Sequence, residues 1–196
     1  MKSKEGCLIL SLTLLGSFSI NAYCSSHWDE FLKQPDKDAL VELENTITAS
    51  TQRCSSDVAP AQKHRTQLFE LIRKGNQSAF RAALLVSKCW DGGEAEDFDL
   101  SAGIFFELQP RAFLQIVKER KILDSQLKYL LTMLPLDTVD DIDRKIYVVK
   151  NRIALLKGVD EDSLKEIKKR GLSFLEKEKE NLDRIKMEMG KVKNPD

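Results

Sequence analysis

Residues 139–158 read VDDIDRKIYVVKNRIALLKG, and their apolar positions decide the fold class. Val139, Ile142, Ile146, Val149, Ile153 and Leu156 step by three and four without a gap. Side chains at that spacing share one face of an α-helix, whereas a half-buried strand alternates every second residue. The stretch therefore predicts an amphipathic helix with one buried stripe. Asp137, Asp140, Asp141 and Asp143 crowd its start, where negative charge suits the helix dipole, and Gly158 is the expected C-cap.

The same spacing extends outward in both directions. Downstream, a long helix is expected from near Asp160 to about Met189. Its stripe is Leu164, Ile167, Gly171, Leu175, Leu182, Ile185 and Met189, interrupted by Glu178. Glu161–Lys165, Glu166–Arg170 and Glu180–Arg184 are its expected i,i+4 pairs. Upstream, Asp124 caps a helix carrying Leu127, Leu130, Leu131 and Leu134, which Pro135 ends. Pro110 opens a short helix with Phe113, Leu114, Ile116 and Val117, after one with Leu100, Ile104, Phe105 and Leu108. The helix from about Gln77 to Trp90 is apolar on most sides, which predicts a central, buried position, with Asn76 as its cap. Before it, Pro60 opens a helix with the stripe Ala61, His64, Leu68, Leu71 and Ile72. Pro35-Asp36 opens the first helix, with Asp36 at the N-cap and a stripe of Leu40, Leu43 and Ile47. Trp28 and Phe31 are expected to dock onto the domain. The stretch from Trp90 to Asp99 is expected to be the one long irregular loop.

No β-branched run alternates with polar residues over a strand's length. The expected fold class is all-α: antiparallel helical hairpins stacked as a bundle or a short HEAT-like solenoid. The segment FFELQPRAFLQIV, residues 105–117, with Pro110 at a helix start, resembles one unit of a HEAT-type helical repeat. No fixed sequence period accompanies it.

Lys2 and Lys4 precede an apolar run, CLILSLTLLGSF, from Cys7 to Phe18. At about 12 residues it is too short to span a bilayer, which takes roughly 20, and it has the length of a signal-peptide core. Cleavage is expected after Ala22. The expected organisation is a signal peptide at 1–22, an N-terminal segment at 23–35, a helical domain at 36–158, and a long C-terminal helix and tail at 159–196. A periplasmic or secreted protein follows, without stable membrane insertion once the leader is removed. Lys+Arg and Asp+Glu both number 31, so the basic excess of a nucleic-acid binder is missing.

Export allows disulfides to persist. Cleavage after Ala22 leaves Cys24, Cys54 and Cys89. In an up-down-up course, the first and third helices end together, so Cys54 and Cys89 are the expected pair. Their bridge would close a loop of roughly 35 residues, worth about 3–4 kcal/mol in the chain-entropy model. The alternative is a pair of buried, reduced thiols.

His64 sits on an apolar stripe and is read as a hydrogen-bonded core histidine rather than a ligand or base. His27 follows Cys24 at the spacing of a half zinc site, but no second pair exists downstream. A copper- or nickel-binding N-terminus would need cleavage after Cys24. No cofactor or metal is expected. Gly-x-Ser-x-Gly, phosphate-loop and His-Glu-x-x-His patterns are missing, and no catalytic residue is assigned. Asp91, Glu94, Glu96, Asp97 and Asp99 form an acidic patch without EF-hand order; they are read as a solvated loop and as the candidate partner-binding loop. The favoured function is a non-enzymatic protein that binds another envelope protein or a secreted toxin, as an immunity or inhibitor protein does. A cell-envelope hydrolase, and a structural protein oligomerising through its C-terminal helix, are the alternatives.

Overall fold

Three-and-four spacing becomes helix throughout a computed structural model, which describes residues 27–49, 54, 58 and 60–193. Among those residues there is no strand, and helices pack together as an all-α bundle. In order they are α1 (His27–Lys33), α2 (Lys37–Ala49), α3 (Gln62–Arg73), α4 (Gln77–Val86), α5 (Gly92–Leu108), α6 (Pro110–Glu119), α7 (Asp124–Thr132), α8 (Ile142–Gly158) and α9 (Lys165–Lys193). Single 3-10 turns lie at Ser87–Cys89, Leu136–Thr138 and Asp162–Leu164. The leader reading of residues 1–22, and Cys24, lie outside the described residues.

Local chemistry sets many of the boundaries. Asp36 Oδ1 accepts from the backbone N–H groups of Asp38 and Ala39 at 3.0 and 2.9 Å. Asn76 and Asp141 accept in the same way from Ala79 and Arg144. Pro110 occupies the first turn of α6, where its missing N–H costs nothing. Gly75 ends α3 at φ +83°, a left-handed conformation that favours glycine, and its carbonyl accepts from Gln109 Nε2 at 2.6 Å.

Several expectations need correction. The acidic stretch is not a loop: Gly92 opens α5, so Glu94 to Asp99 lie within a helix. Acids in a first turn meet the positive end of the dipole, and buried Trp90 and Phe98 anchor the segment to the core. Residues 27–33 form a helix of their own, and the expected docking of Trp28 and Phe31 is realised by burial to 2% and 1% exposure. The helix expected to reach Trp90 ends at Val86 and tightens into a 3-10 turn. Val139 precedes α8 and is exposed, so the stripe starts at half-buried Ile142. Gly158 belongs to the last turn of α8 and does not take a left-handed conformation. The final helix begins at Lys165 rather than Asp160, after a 3-10 turn.

The expected i,i+4 pairs are also replaced. Glu161 pairs with Arg111, Arg170 with Asp124, and Arg184 donates to Asn181, while Lys179–Asp183 is an i,i+4 pair that does form. Surface cations reach whichever carboxylate tertiary packing brings closest, and a helical pair is worth only about 0.3–0.5 kcal/mol.

The core centres on α4, whose Ala79, Phe80, Ala82, Ala83 and Val86 are all fully buried, as its all-round apolar pattern predicts. Phe80 stacks on Phe113 at 5.5 Å and lies 4.6 Å from Phe105. Helices α8 and α9 run antiparallel: Asp143 meets Lys186 at one end, and Leu156 meets Gly171 towards the other. A Cβ on Gly171 would lie 3.0 Å from methyl groups of both Leu131 and Leu156, so the glycine lets α9 approach α7 and α8 closely.

Candidate partner-binding surface

Helix α5 begins against a fixed aromatic base. Trp90 packs edge-on to Phe69 at 5.2 Å and against Phe98 at 5.0 Å, and Phe69 lies 6.3 Å from Phe98. Phe69 belongs to α3, and one turn earlier Arg65 pairs with Glu94. The contacts Arg65–Glu94 and Phe69–Phe98 advance together, so α3 and α5 run in the same direction. A groove of about 500 Å³ lies between them. Asp91, Glu94, Glu96 and Asp97 line one side, with Arg65 and Arg73 on the other.

The acidic residues singled out in the sequence are therefore mostly brought together, but not all. Asp99 does not line the groove. It is half-buried, and desolvation, helped by the nearby Glu96 charge, pushes its carboxyl up to about 6. Arg65 and Arg73 were not foreseen. Their signal is positional: Arg65, Phe69 and Arg73 step by four and share a face of α3.

The base of this surface is cross-linked. Cys54 and Cys89 are joined by a disulfide, with Cα atoms 5.1 Å apart. Cys89 immediately precedes Trp90, so the bridge fixes the chain where it enters α5. Bonded to each other, neither sulfur is a free thiolate nucleophile. His64 is buried, and its Nε2 lies 2.7 Å from Asp29 Oδ1. That contact ties α3 to α1, as a satisfied core histidine does, and Lys63 reaches the same carboxylate oxygen at 3.3 Å.

A second acidic group lies at the same end of the bundle. Gly103, midway along α5, lies against Arg152 of α8. Pro110, just past the end of α5, shares a groove with Leu155 and Gly158 near the end of α8. Helices α5 and α8 thus also run in the same direction, and both start at one pole. The pole carries Asp91 to Asp99 on α5, and Asp137, Asp140, Asp141 and Asp143 at the start of α8. Among the described residues, no group of His, Cys, Asp and Glu side chains could hold a metal ion. No helix among them is long and apolar enough to cross a membrane.

Arg152 was also missed. It is fully buried in α8, where its guanidinium meets Glu107 at 2.7 Å and the carbonyls of Leu131 and Met133, both at 2.7 Å. Those carbonyls close the end of α7, where a cation is favourable. Burial lowers the Arg152 pKa, and Glu107 opposes that effect.

No protein-family model, curated protein or solved structure matches this chain.

Proposed function

We propose that this chain is an exported, non-enzymatic protein that binds another protein through the acidic start of α5. The observation that carries this reading is the cross-linked acidic rim of the α3–α5 groove. Asp91, Glu96 and Asp97 are exposed there, on a backbone tied down by the Cys54–Cys89 bridge and the Trp90–Phe69–Phe98 cluster. Pre-ordered surfaces lose less entropy on association than mobile loops do. Such a rim suits a basic patch on the partner, with long-range attraction that speeds encounter and weakens with salt.

The partner is a protein of the cell envelope or a secreted toxin, and the chain acts on it as an immunity or inhibitor protein. Export is supported by the short apolar leader at 1–22, and a disulfide is compatible with it. The test is cross-linking of the tagged chain in living cells, followed by recovery from the envelope fraction. A variant carrying Asp91→Lys, Glu96→Lys and Asp97→Lys serves as control; it leaves the Arg65–Glu94 pair intact. One partner recovered by the parent and lost from the variant is the expected result. No partner, or equal recovery by both, would overturn the proposal.

A further inference from the structure

Helix α9 outruns the helix it packs on. Lys186 meets Asp143 in the first turn of α8, yet α9 continues to Lys193. From Arg184 to Gly190 every residue is exposed, including Ile185, Met187 and Met189. The sequence there, RIKMEMGKVK over 184–193, carries Arg184, Lys186, Lys191 and Lys193 against Glu188 alone. Beside it, the loop entering α8 exposes Leu136 at 71% and Val139 at 56%. That loop and the first turn of α8 carry Asp137, Asp140, Asp141 and Asp143, of which Asp137 and Asp143 have cation partners within the chain.

One continuous surface therefore has an apolar centre, an acidic flank and a basic flank. That composition is self-complementary. A two-fold axis through the apolar centre would bring the acidic flank of one copy onto the basic flank of the other. We propose that two copies of this chain associate here, covering Leu136, Val139, Ile185 and Met189. The projecting helical segment is about 15 Å long. The contact thus falls at the small end of specific interfaces, and the dimer dissociates on dilution.

Sedimentation equilibrium of the purified chain from micromolar to millimolar concentration tests this. The average mass is expected to rise towards two chains, less so in high salt. Leu136→Glu and Met189→Glu, on different elements and both at exposed positions, should each hold the mass at one chain with an unchanged helical spectrum. Asp140→Lys and Arg184→Glu should each weaken self-association, and mixing those two variants should restore a two-chain species. A single-chain mass for the parent at every concentration would overturn the proposal. So would association of the two glutamate variants equal to the parent's, or growth past two chains.

Discussion

Arg152 shows how much one side chain can hold. Its guanidinium joins α5, α7 and α8, and its Nη2 rests where a Cβ on Gly103 would come within 2.6 Å. Removing the cation strands the Leu131 and Met133 carbonyls and leaves Glu107 without its partner. Arg152→Met is therefore expected to destabilise the fold by roughly 3 kcal/mol, read as a shift in the urea midpoint. Gly103→Ala should cost about 2 kcal/mol, because the guanidinium is pinned on three sides and cannot yield. In the double variant the methyl gains room, so the combined loss should fall short of the sum; an additive result would defeat the steric account. Asp99 carries a pH prediction. In the folded chain its carboxyl keeps a proton up to about pH 6, whereas the ordinary value is 3.8. Between those values the folded state binds more protons, so the Asp99 contribution falls as pH rises through that window and stays low above it. Asp99→Asn is expected to gain about 1 kcal/mol at pH 7, once the water still reaching this carboxyl is allowed for, and nothing below pH 4. Thermal melts of both proteins from pH 3 to pH 8 would read the difference.

Elements differed in how plainly the sequence announced them. Ile146, Val149, Ile153 and Leu156 needed no tertiary information, because a helix repeats its buried face every three or four residues and α8 is long enough to show it. The acidic stretch hid its helix for local reasons. Gly92 and Gly93 are poor helix formers, and the stabilising contacts of Trp90 and Phe98 come from Phe69 in another element. Helix α1 was too short to display a stripe, although Trp28, Phe31 and Leu32 already had helical spacing. Arg152 was readable only as an anomaly: it lies three residues after Val149 and four before Leu156, a charge in a buried row. The candidate surface was half legible, its acids and its bridge from composition and topology, its arginines only once α3 and α5 were side by side. The bridge itself is testable at this scale. Cys54 and Cys89 lie 35 residues apart, so the cross-link restricts a sizeable loop in the unfolded chain. Cys54→Ser with Cys89→Ser is expected to lower stability by about 4 kcal/mol, and reduction of the parent should reproduce that loss. Equal urea midpoints for oxidised and reduced protein would refute the assignment.

The molecule as a whole begins earlier than its first long helix. Burial of Trp28, Phe31 and Leu32 makes α1 part of the same core as α4 and α5. Three side chains of that size stabilise by about 5 kcal/mol, an upper figure because the unfolded chain buries some of that surface already. Polar ties add register rather than bulk: Trp28 Nε1 donates to the Val58 carbonyl at 3.1 Å, and Gln67 Nε2 to the Leu32 carbonyl at 3.2 Å. Single domains have only about 5–15 kcal/mol in total. A chain starting at Asp36 is therefore expected to unfold well below the melting temperature of one starting at Tyr23, with faster proteolysis. Its loss should exceed that of any single substitution considered above, since the vacated faces of α2 and α3 would meet water and Asp29 would no longer reach His64. The opposite end should behave differently. A chain starting at Tyr23 and ending at Asp183 keeps Leu175 and Leu182, the last buried contacts of α9, and loses only exposed turns. Its melting temperature should stay within a few degrees of the parent's, as expected for surface segments that carry no packing. If the shortened C-terminus melted as early as the chain lacking α1, then residues 184–193 would be supporting the fold rather than projecting from it, and the two ends of the molecule could not be assigned separate tasks.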